Sequence, residues 1–396
     1  MRNKRILISG ASVAGPTLAY WLARRGFEPT VVEVAPALRG GGYAVDFRSS
    51  AHLAVLDRTG ILDDLRALAT GGTTWTFVDD AGNPLAALPP EFTGGDLEVA
   101  RGDLARVLYE RTRDTTEYVF GDSIATLTDT TASDHADACV QVEFESGTKR
   151  TFDLVIGADG LHSNTRELAF GPEKDYLTHL GYHVAGWMVP HHIGVPEARI
   201  AHNVAGKLIG VLDSRRGPTA DVFAFFAAGP LDHDRRDVAG QKRIVADVFA
   251  DVGWVAPTLI EALADAPELY FDAIARVDVP RWSAGRVALV GDAAYGATLG
   301  GMGTGSAVIG AYVLAGELAA AGGNHVVAFD RYERAVRDFV TECQKGGEDT
   351  GAFLAPATAD AVAVRNVMLG DPAVLAHLLA EGEARAAGIT LPDYPG

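Results

Sequence analysis

A chain of 396 residues, 48% of them hydrophobic, can bury a core large enough for two domains or one elaborated domain. Its formal net charge of −18 leaves no excess of Lys and Arg to neutralise phosphate backbones, which argues against nucleic acid or an anionic membrane surface as a partner. Cys139 and Cys343 are the only cysteines and stand far apart, which argues against a disulfide framework or a cysteine-rich metal site and fits a reduced, cytoplasmic setting.

The chain opens with Arg2, Lys4 and Arg5 ahead of Ile6–Leu7–Ile8, in the manner of an export signal. The apolar run is too short for one, Gly10 and Gly15 interrupt it, and Arg24–Arg25 continue a helical pattern. Ile6–Ser9 reads instead as a buried parallel strand, Gly10-Ala-Ser-Val-Ala-Gly15 as a turn, and Pro16–Arg25 as a helix with proline in its first turn. "TVVE" follows as a second strand ending in Glu33. A dinucleotide needs this layout: Gly10 permits the tight turn, Gly15 lets helix and strand pack closely, and the helix N-terminus, reached through the turn residues Ser12, Val13 and Ala14, presents free N–H groups to a pyrophosphate. Glu33, eighteen residues beyond Gly15 and followed by Val34, is placed to accept hydrogen bonds from a ribose diol. Ser12 stands where the middle glycine of G-x-G-x-x-G would be and narrows the gap for the diphosphate. A buried β-α turn without ligand would use the same two glycines.

Further along, Gly40, Gly41 and Gly42 permit close approach of the backbone to a ligand, with Arg39, Asp46 and Arg48 beside them; a solvated surface loop is the alternative. Segments 71–100 and 176–280 lack nucleotide signals and alternate as strands do, as in "KLIGVLDS" and "ADVFAFFAAG". Between them, "EVARGDLARVL" sets Arg101 at a helix start. "TFDLVIGADGLHSNTRE" gives a strand Leu154–Ile156, then Gly157-Ala-Asp159-Gly160, then Ser163 and Arg166 on a helix. "GRVALVGDAAYGATLGGMGTGSAVIGAYVLAGEL" gives a strand Val287–Val290, then Gly291-Asp292, a glycine-rich loop and a long helix. The end of the chain looks helical from Ala359 to Ala387, broken at Gly370–Pro372.

His183, His191, His192 and His202 lack Cys or carboxylate partners at ligand spacing, so no metal is expected. Trp187, Trp254, Phe223, Phe225 and Phe226 either line an aromatic pocket or fill the core. No run of about eighteen apolar residues is found, so no membrane span is expected. No G-x-S-x-G elbow supports acyl transfer.

The glycine turn, the Asp159-Gly160 stretch and the Gly291-Asp292 stretch, in this order and spacing, resemble the FAD-dependent aromatic hydroxylases, flavoprotein monooxygenases of the p-hydroxybenzoate hydroxylase fold. Within that group the chain is similar to the tetracycline-inactivating monooxygenases and their relatives from antibiotic-producing bacteria, over nearly its whole length. The resemblance implies an α/β fold: a Rossmann-like FAD-binding domain (1–70, 101–175 and 281–350), a discontinuous β-sheet substrate domain (71–100 and 176–280) roofing the flavin, and a C-terminal helical segment (351–396) across both.

By the same resemblance, Asp292 lies against the ribityl and pyrophosphate part of FAD. Gly291, Gly301, Met302, Gly303 and Thr304 belong to the turn feeding a helix whose positive end faces the flavin ring, where it would stabilise the anionic reduced flavin. Asp159 supports FAD, unless it merely caps the next helix, and Arg166 holds that loop; Arg101 approaches the flavin, unless it is a surface arginine. The family carries His after Gly-Asp-Ala-Ala and a proline soon after. This chain has Tyr295 and no proline, which bears on oxygen activation. No catalytic residue is assigned; Arg48 and Tyr295 are the candidates.

The activity implied is oxygenation of an aromatic or polycyclic, polyketide-like natural product or antibiotic, with transient NADPH or NADH, O2 and a flavin C4a-hydroperoxide. Baeyer–Villiger oxygenation, a redox-neutral FAD-scaffolded cyclase and a drug-binding protein are the alternatives, in a monomer or homodimer. A halogenase would need W-x-W-x-I-P, for which "GWMVP" at 186–190 is no match.

Overall fold

The computed structural model describes residues 2–38, 40, 44–130, 138–190, 199–212, 218–297 and 302–394. Arg39, Gly301, His191 and His192, all singled out from the sequence, lie outside these residues.

The elements in chain order begin with β1 (Arg5–Ser9), α1 (Ala14–Arg24), β2 (Glu28–Glu33), β3 (Ala44–Phe47), α2 (Ser50–Thr59), α3 (Leu62–Ala67), β4 (Trp75–Val78) and β5 (Pro84–Leu88). Next come α4 (Pro90–Gly94), β6 (Leu97–Ala100), α5 (Arg101–Thr112), β7 (Glu117–Phe120), β8 (Ile124–Asp129), β9 (Val140–Phe144), β10 (Lys149–Phe152), β11 (Leu154–Gly157) and α6 (Asn164–Phe170). Then β12 (Leu177–Pro190), β13 (Arg199–Val204), β14 (Lys207–Leu212), β15 (Thr219–Ala227), α7 (Val238–Phe249), α8 (Ala256–Asp265) and β16 (Tyr270–Val277). The chain closes with β17 (Ser283–Ala284), β18 (Val287–Leu289), α9 (Asp292–Tyr295), α10 (Gly303–Ala320), α11 (His325–Glu348), α12 (Thr350–Leu354), α13 (Ala359–Leu369) and α14 (Pro372–Ala386).

A six-stranded sheet has the order β17-β18-β11-β1-β2-β7, parallel throughout except at the β17–β18 edge. Its inner strands read as unbroken apolar runs because both faces are covered, as in other parallel sheets. A seven-stranded sheet, the roof, has the order β16-β12-β15-β14-β13-β4-β5 and draws on residues 75–88 and 177–277. β6, which the sequence reading grouped with this roof, pairs instead with β3 in a two-stranded ribbon.

The roof is buried on both faces by different partners. Ala185, Trp187, Ile209, Val222, Ala224 and Phe226 pack on α7 and α8 through Val245, Phe249, Leu259 and Leu263. The opposite face carries Phe77, Val184, Leu208, Phe223 and Phe225 and meets Leu354 and Leu369 of the C-terminal helices. Arg365 of α13 pins that contact: its guanidinium lies 4.0 Å from the Phe77 ring centre and donates to Asn203 Oδ1 at 2.7 Å and to the Phe353 carbonyl at 3.0 Å. At the far end of the same segment Tyr394 donates to Glu317 of α10 at 2.8 Å, so the C-terminal segment reaches from the roof to α10. Against the sequence expectation, α10 is long and apolar enough to cross a membrane, but 72% of it is buried inside the fold, where it is the core helix between α1 and α11.

Candidate active site

The β1–α1 turn is shaped by backbone. Gly10 adopts φ +107°, and a Cβ there would overlap the Ala158 carbonyl at the end of β11. A Cβ on Gly15 would overlap the carbonyl of Gly10. Only glycine therefore brings strand, turn and helix this close. Val13 and Ala14 are buried at the start of α1, and no side chain caps that helix. α5 and α10, which both pack near α1, also begin without a side-chain cap, at Ala100 and Met302. Among the other helices α2, α6, α7, α11, α13 and α14 are capped by Ser49, Ser163, Asp237, Asn324, Thr358 and Asp371, whereas α3, α4, α8, α9 and α12 are uncapped too, so it is the nearness of the α1, α5 and α10 starts to one another, and not the missing cap alone, that marks the place. Uncapped helix starts leave N–H donors facing outward with a positive dipole end behind them, a setting suited to an anion.

The side chains around these helix starts complete the cleft. Glu33 accepts from the Ala11 amide at 2.9 Å and from the Ala35 amide at 3.0 Å, which fixes its carboxylate at the mouth of the turn. A carboxylate has about four acceptor positions, so two remain for a ligand diol. Val34 beside it is 62% exposed. Arg101 reaches across from α5 and donates to Ser12 Oγ at 3.2 Å; the serine in place of the middle glycine thus anchors the arginine. Asp292 opens α9 and is half-buried. Burial pushes its carboxyl above the usual range, Arg101 opposes that, and Asp272 adds to it. Gly303 and Thr304 form the half-buried first turn of α10, and Gly303 approaches the Asp292 carboxylate. Met302 holds a left-handed φ of +92°, which costs a non-glycine residue about 1–3 kcal/mol.

The family model described as FAD binding domain matches residues 3–345. The chain belongs to that family. A protein named flavin-dependent monooxygenase, from an unknown prokaryotic organism, is 36% identical to this flavoprotein over 401 residues and spans 99% of both chains. An uncharacterized protein of Mycobacterium tuberculosis (strain H37Rv) is 42% identical over 351 residues, 86% of this chain and 92% of that one. The crystal structure of tetracycline destructase Tet(55) is 35% identical, with a TM-score of 0.82 and 99% of each chain covered. The protein is an FAD-dependent monooxygenase.

The residues present fit FAD: a glycine cradle that any Cβ would fill, three uncapped helix starts, a carboxylate at each end and Arg101 between them. Other candidates play different parts. Asp159 accepts from Ser9 Oγ at 3.2 Å, from the Thr165 amide at 2.9 Å, from Thr165 Oγ1 at 2.7 Å and from Ser163 Oγ. Its carboxylate ties β1 to the start of α6, where Ser163 is the cap and Asp159 adds a bond to the Thr165 amide. Arg166 is wholly buried and donates to the carbonyls of Ala293 at 3.0 Å and Leu161 at 2.7 Å, so it clamps the loop after Asp159 to α9 and positions Asp292.

Neither catalytic candidate is free to react. Arg48 is paired with Asp46 and donates to the Phe92 carbonyl at 2.8 Å. Burial pushes Asp46 up while Arg48 pulls it down, so each serves the other. Tyr295 requires correction: it turns into the core rather than toward the cleft. Its hydroxyl fits a notch left by Gly310 of α10, lies 3.3 Å from the Tyr332 hydroxyl, and its ring packs 4.7 Å from Trp282. Burial pushes its pKa up to about 12, so it holds its proton.

Two features were not foreseen. Tyr270, at the start of β16, faces Arg101, Asp272 and Asp292 from the roof; burial and the carboxylates hold its hydroxyl above its usual pKa. His162, in the Asp159-Gly160 stretch, is clasped between Glu173 at 2.8 Å and Asp272 of β16 at 2.9 Å. Burial alone would lower its pKa, but the two carboxylates outweigh it and raise it. Glu173, although burial opposes it, is brought to about 2 by His162 and Arg235. His162 and Asp272 are 110 residues apart, and no local pattern announces the pair.

The remaining aromatic and histidine candidates are divided by the roof. Trp187 and Phe226 lie on the face toward α7 and α8, where Trp187 Nε1 donates to the Leu259 carbonyl at 3.2 Å; Phe223 and Phe225 lie on the opposite face, the cleft side, where Leu354 and Leu369 cover them while Tyr270 of the same face meets Arg101 and Asp292. Trp254 packs against His202, whose Nδ1 lies 3.0 Å from the Val78 carbonyl. His183 is stacked between Phe226 and Phe271, and burial lowers its pKa to about 4.

Proposed function

We propose that this chain oxygenates an aromatic or polycyclic substrate, using NADPH or NADH and O2, with FAD laid across the turn at residues 10–15. The supporting observation is the convergence of three uncapped helix starts, at α1, α5 and α10, with Arg101 held on Ser12 between them. In this reading Glu33 receives the adenosine ribose, Val34 lies beside the adenine, and Asp292 contacts the sugar-alcohol chain. The start of α10 faces the ring system and favours negative charge there. FAD, when bound, supplies the electron transfer and oxygen activation. The roof, residues 71–100 and 176–280 in the proposed domain division, excludes water and orients the substrate. A monomer or homodimer in the cytoplasm fits the charge and cysteine content.

The solved relative named a tetracycline destructase makes a tetracycline the first compound to offer, followed by phenolic polyketides. Purified protein should be yellow and release FAD on acid precipitation. Substrate should stimulate aerobic NADPH consumption, and one atom of labelled O2 should enter the product. A redox-neutral role for FAD is favoured by one observation: Tyr295, which stands in place of the family's histidine, is buried in the core. Product formation under anaerobic conditions without NADPH would select that reading.

A further inference from the structure

The register of the roof places a carboxylate on its cleft side. Along β15, Ala220, Val222, Ala224 and Phe226 face α7 and α8, so by the two-residue period Asp221 shares the opposite face with Phe223 and Phe225. Pairing runs without a bulge from Thr219 to Ala227, which sets Met188, Asp221, Leu212, Arg199 and Trp75 in one row across five strands. This row looks into the cleft, because Arg199 reaches down to Glu98 of β6, donating at 3.1 Å. In the adjacent row Tyr270 faces Arg101 and Asp292.

Arg199 has its charge answered by Glu98, which also accepts from Thr70 Oγ1 at 2.6 Å. Asp221 has no such answer. Among the described residues its carboxylate has no ion pair and no hydrogen bond. Burial drives its pKa up, and among the described residues no positive charge opposes this. A carboxylate set on an apolar, aromatic surface is costly until a cation reaches it, and the ion pair is then stronger than in water.

We propose that Asp221 is a specificity residue that receives a protonated amine on a planar aromatic or polycyclic substrate lying along its own row, against Met188 and the half-buried Trp75. The proposal rests on the roof's cleft side being the substrate face. Two matched probes separate the claims: a naphthol bearing a dimethylaminomethyl group, cationic at neutral pH, and the same naphthol bearing an uncharged isobutyl group of equal shape. Each is titrated into the FAD-loaded protein and followed by quenching of protein and flavin fluorescence.

The wild type should bind the amine about tenfold more tightly than its isostere. Asp221→Asn should bring the two within about twofold by weakening the amine alone, and Asp221→Leu should favour the isostere. Unchanged flavin content in both variants shows that the fold persists. Equal binding of both probes by the wild type, or a preference that survives in Asp221→Asn, overturns the role of Asp221 and leaves the substrate face standing. Failure of both probes to bind the wild type overturns the substrate face and this inference together.

Discussion

The turn between β1 and α1 and the cleft side of the roof offer a ligand different chemistry. The turn uses backbone: glycine positions that no side chain can fill, and helix amides that no side chain caps. The roof uses side chains standing at every second position of β4 and β12–β16, so its chemistry depends on register and on which face is covered. A backbone site tolerates little substitution at its glycines but is indifferent to most neighbours. A sheet-face site can be rewritten residue by residue without touching the fold, which suits one cofactor paired with many substrates.

The substitution expected to break this contrast most severely is Gly15→Val. Its side chain must displace the Gly10 carbonyl, so the protein should lose FAD and roughly 3–5 kcal/mol of stability. Absorbance at the flavin band and thermal unfolding check both, and a yellow, equally stable variant would show that the turn is looser than its geometry. Asp292→Ala comes next, with FAD affinity about 10- to 100-fold weaker and far-UV circular dichroism unchanged. Unchanged occupancy would remove Asp292 from the site.

Glu33 tests the boundary between the two modes, because its side chain serves a backbone turn. Glu33→Ala should lose the bonds to Ala11 and Ala35 as well as the ribose contact, weakening FAD by about 1.5–3 kcal/mol. Glu33→Gln should fall between wild type and alanine. Three equal dissociation constants on apo-protein would exclude the dinucleotide role.

His162 joins the two regions, and pH reports on the joint. Its folded pKa is raised, so its stabilisation is fully present below about pH 6.5 and fades as pH rises through the raised value. Glu173, depressed to about 2, acts in the opposite window: its contribution is present above about pH 4.5 and is lost as pH falls toward 2. The melting temperature of the wild type should therefore drop by about 2 °C more than that of His162→Gln between about pH 6 and pH 9. Parallel curves would mean that the clasp carries no weight. The smallest effect is expected at Tyr295→Phe, which removes one hydroxyl from the core at a cost of about 1 kcal/mol and leaves flavin content and turnover untouched. A lost turnover would return Tyr295 to the reaction.

What the sequence disclosed follows the same division. The close packing at Gly10 and Gly15 is legible because a strand–turn–helix unit writes its backbone requirements into neighbouring residues. The tie made by Asp159 needed the positions of Ser9, Ser163 and Thr165 together. The separation of Phe223 and Phe225 from Phe226 follows from strand period, but which side faces the cleft depends on α7 and α8, whose packing no short motif encodes. Tyr295 drew attention because it stands in place of the family's histidine; Gly310, fifteen residues later, opens the space that takes its hydroxyl into the core.

The pin formed by Arg365 also sets a timetable for synthesis. The strands of the roof are complete once β16 is made, yet part of the cover of this side, from Leu354 to Leu369, is translated much later. From Val277 to Leu369 is 369 − 277 = 92 residues, a wait of roughly 5–18 s at ribosomal speed. During that interval Phe77, Val184 and Phe225 lack part of their cover on that side, and the nascent chain is at its most adhesive. A message truncated at codon 350 would make the interval permanent, and its product should be found in the aggregated fraction even though every residue of the nucleotide turn is present.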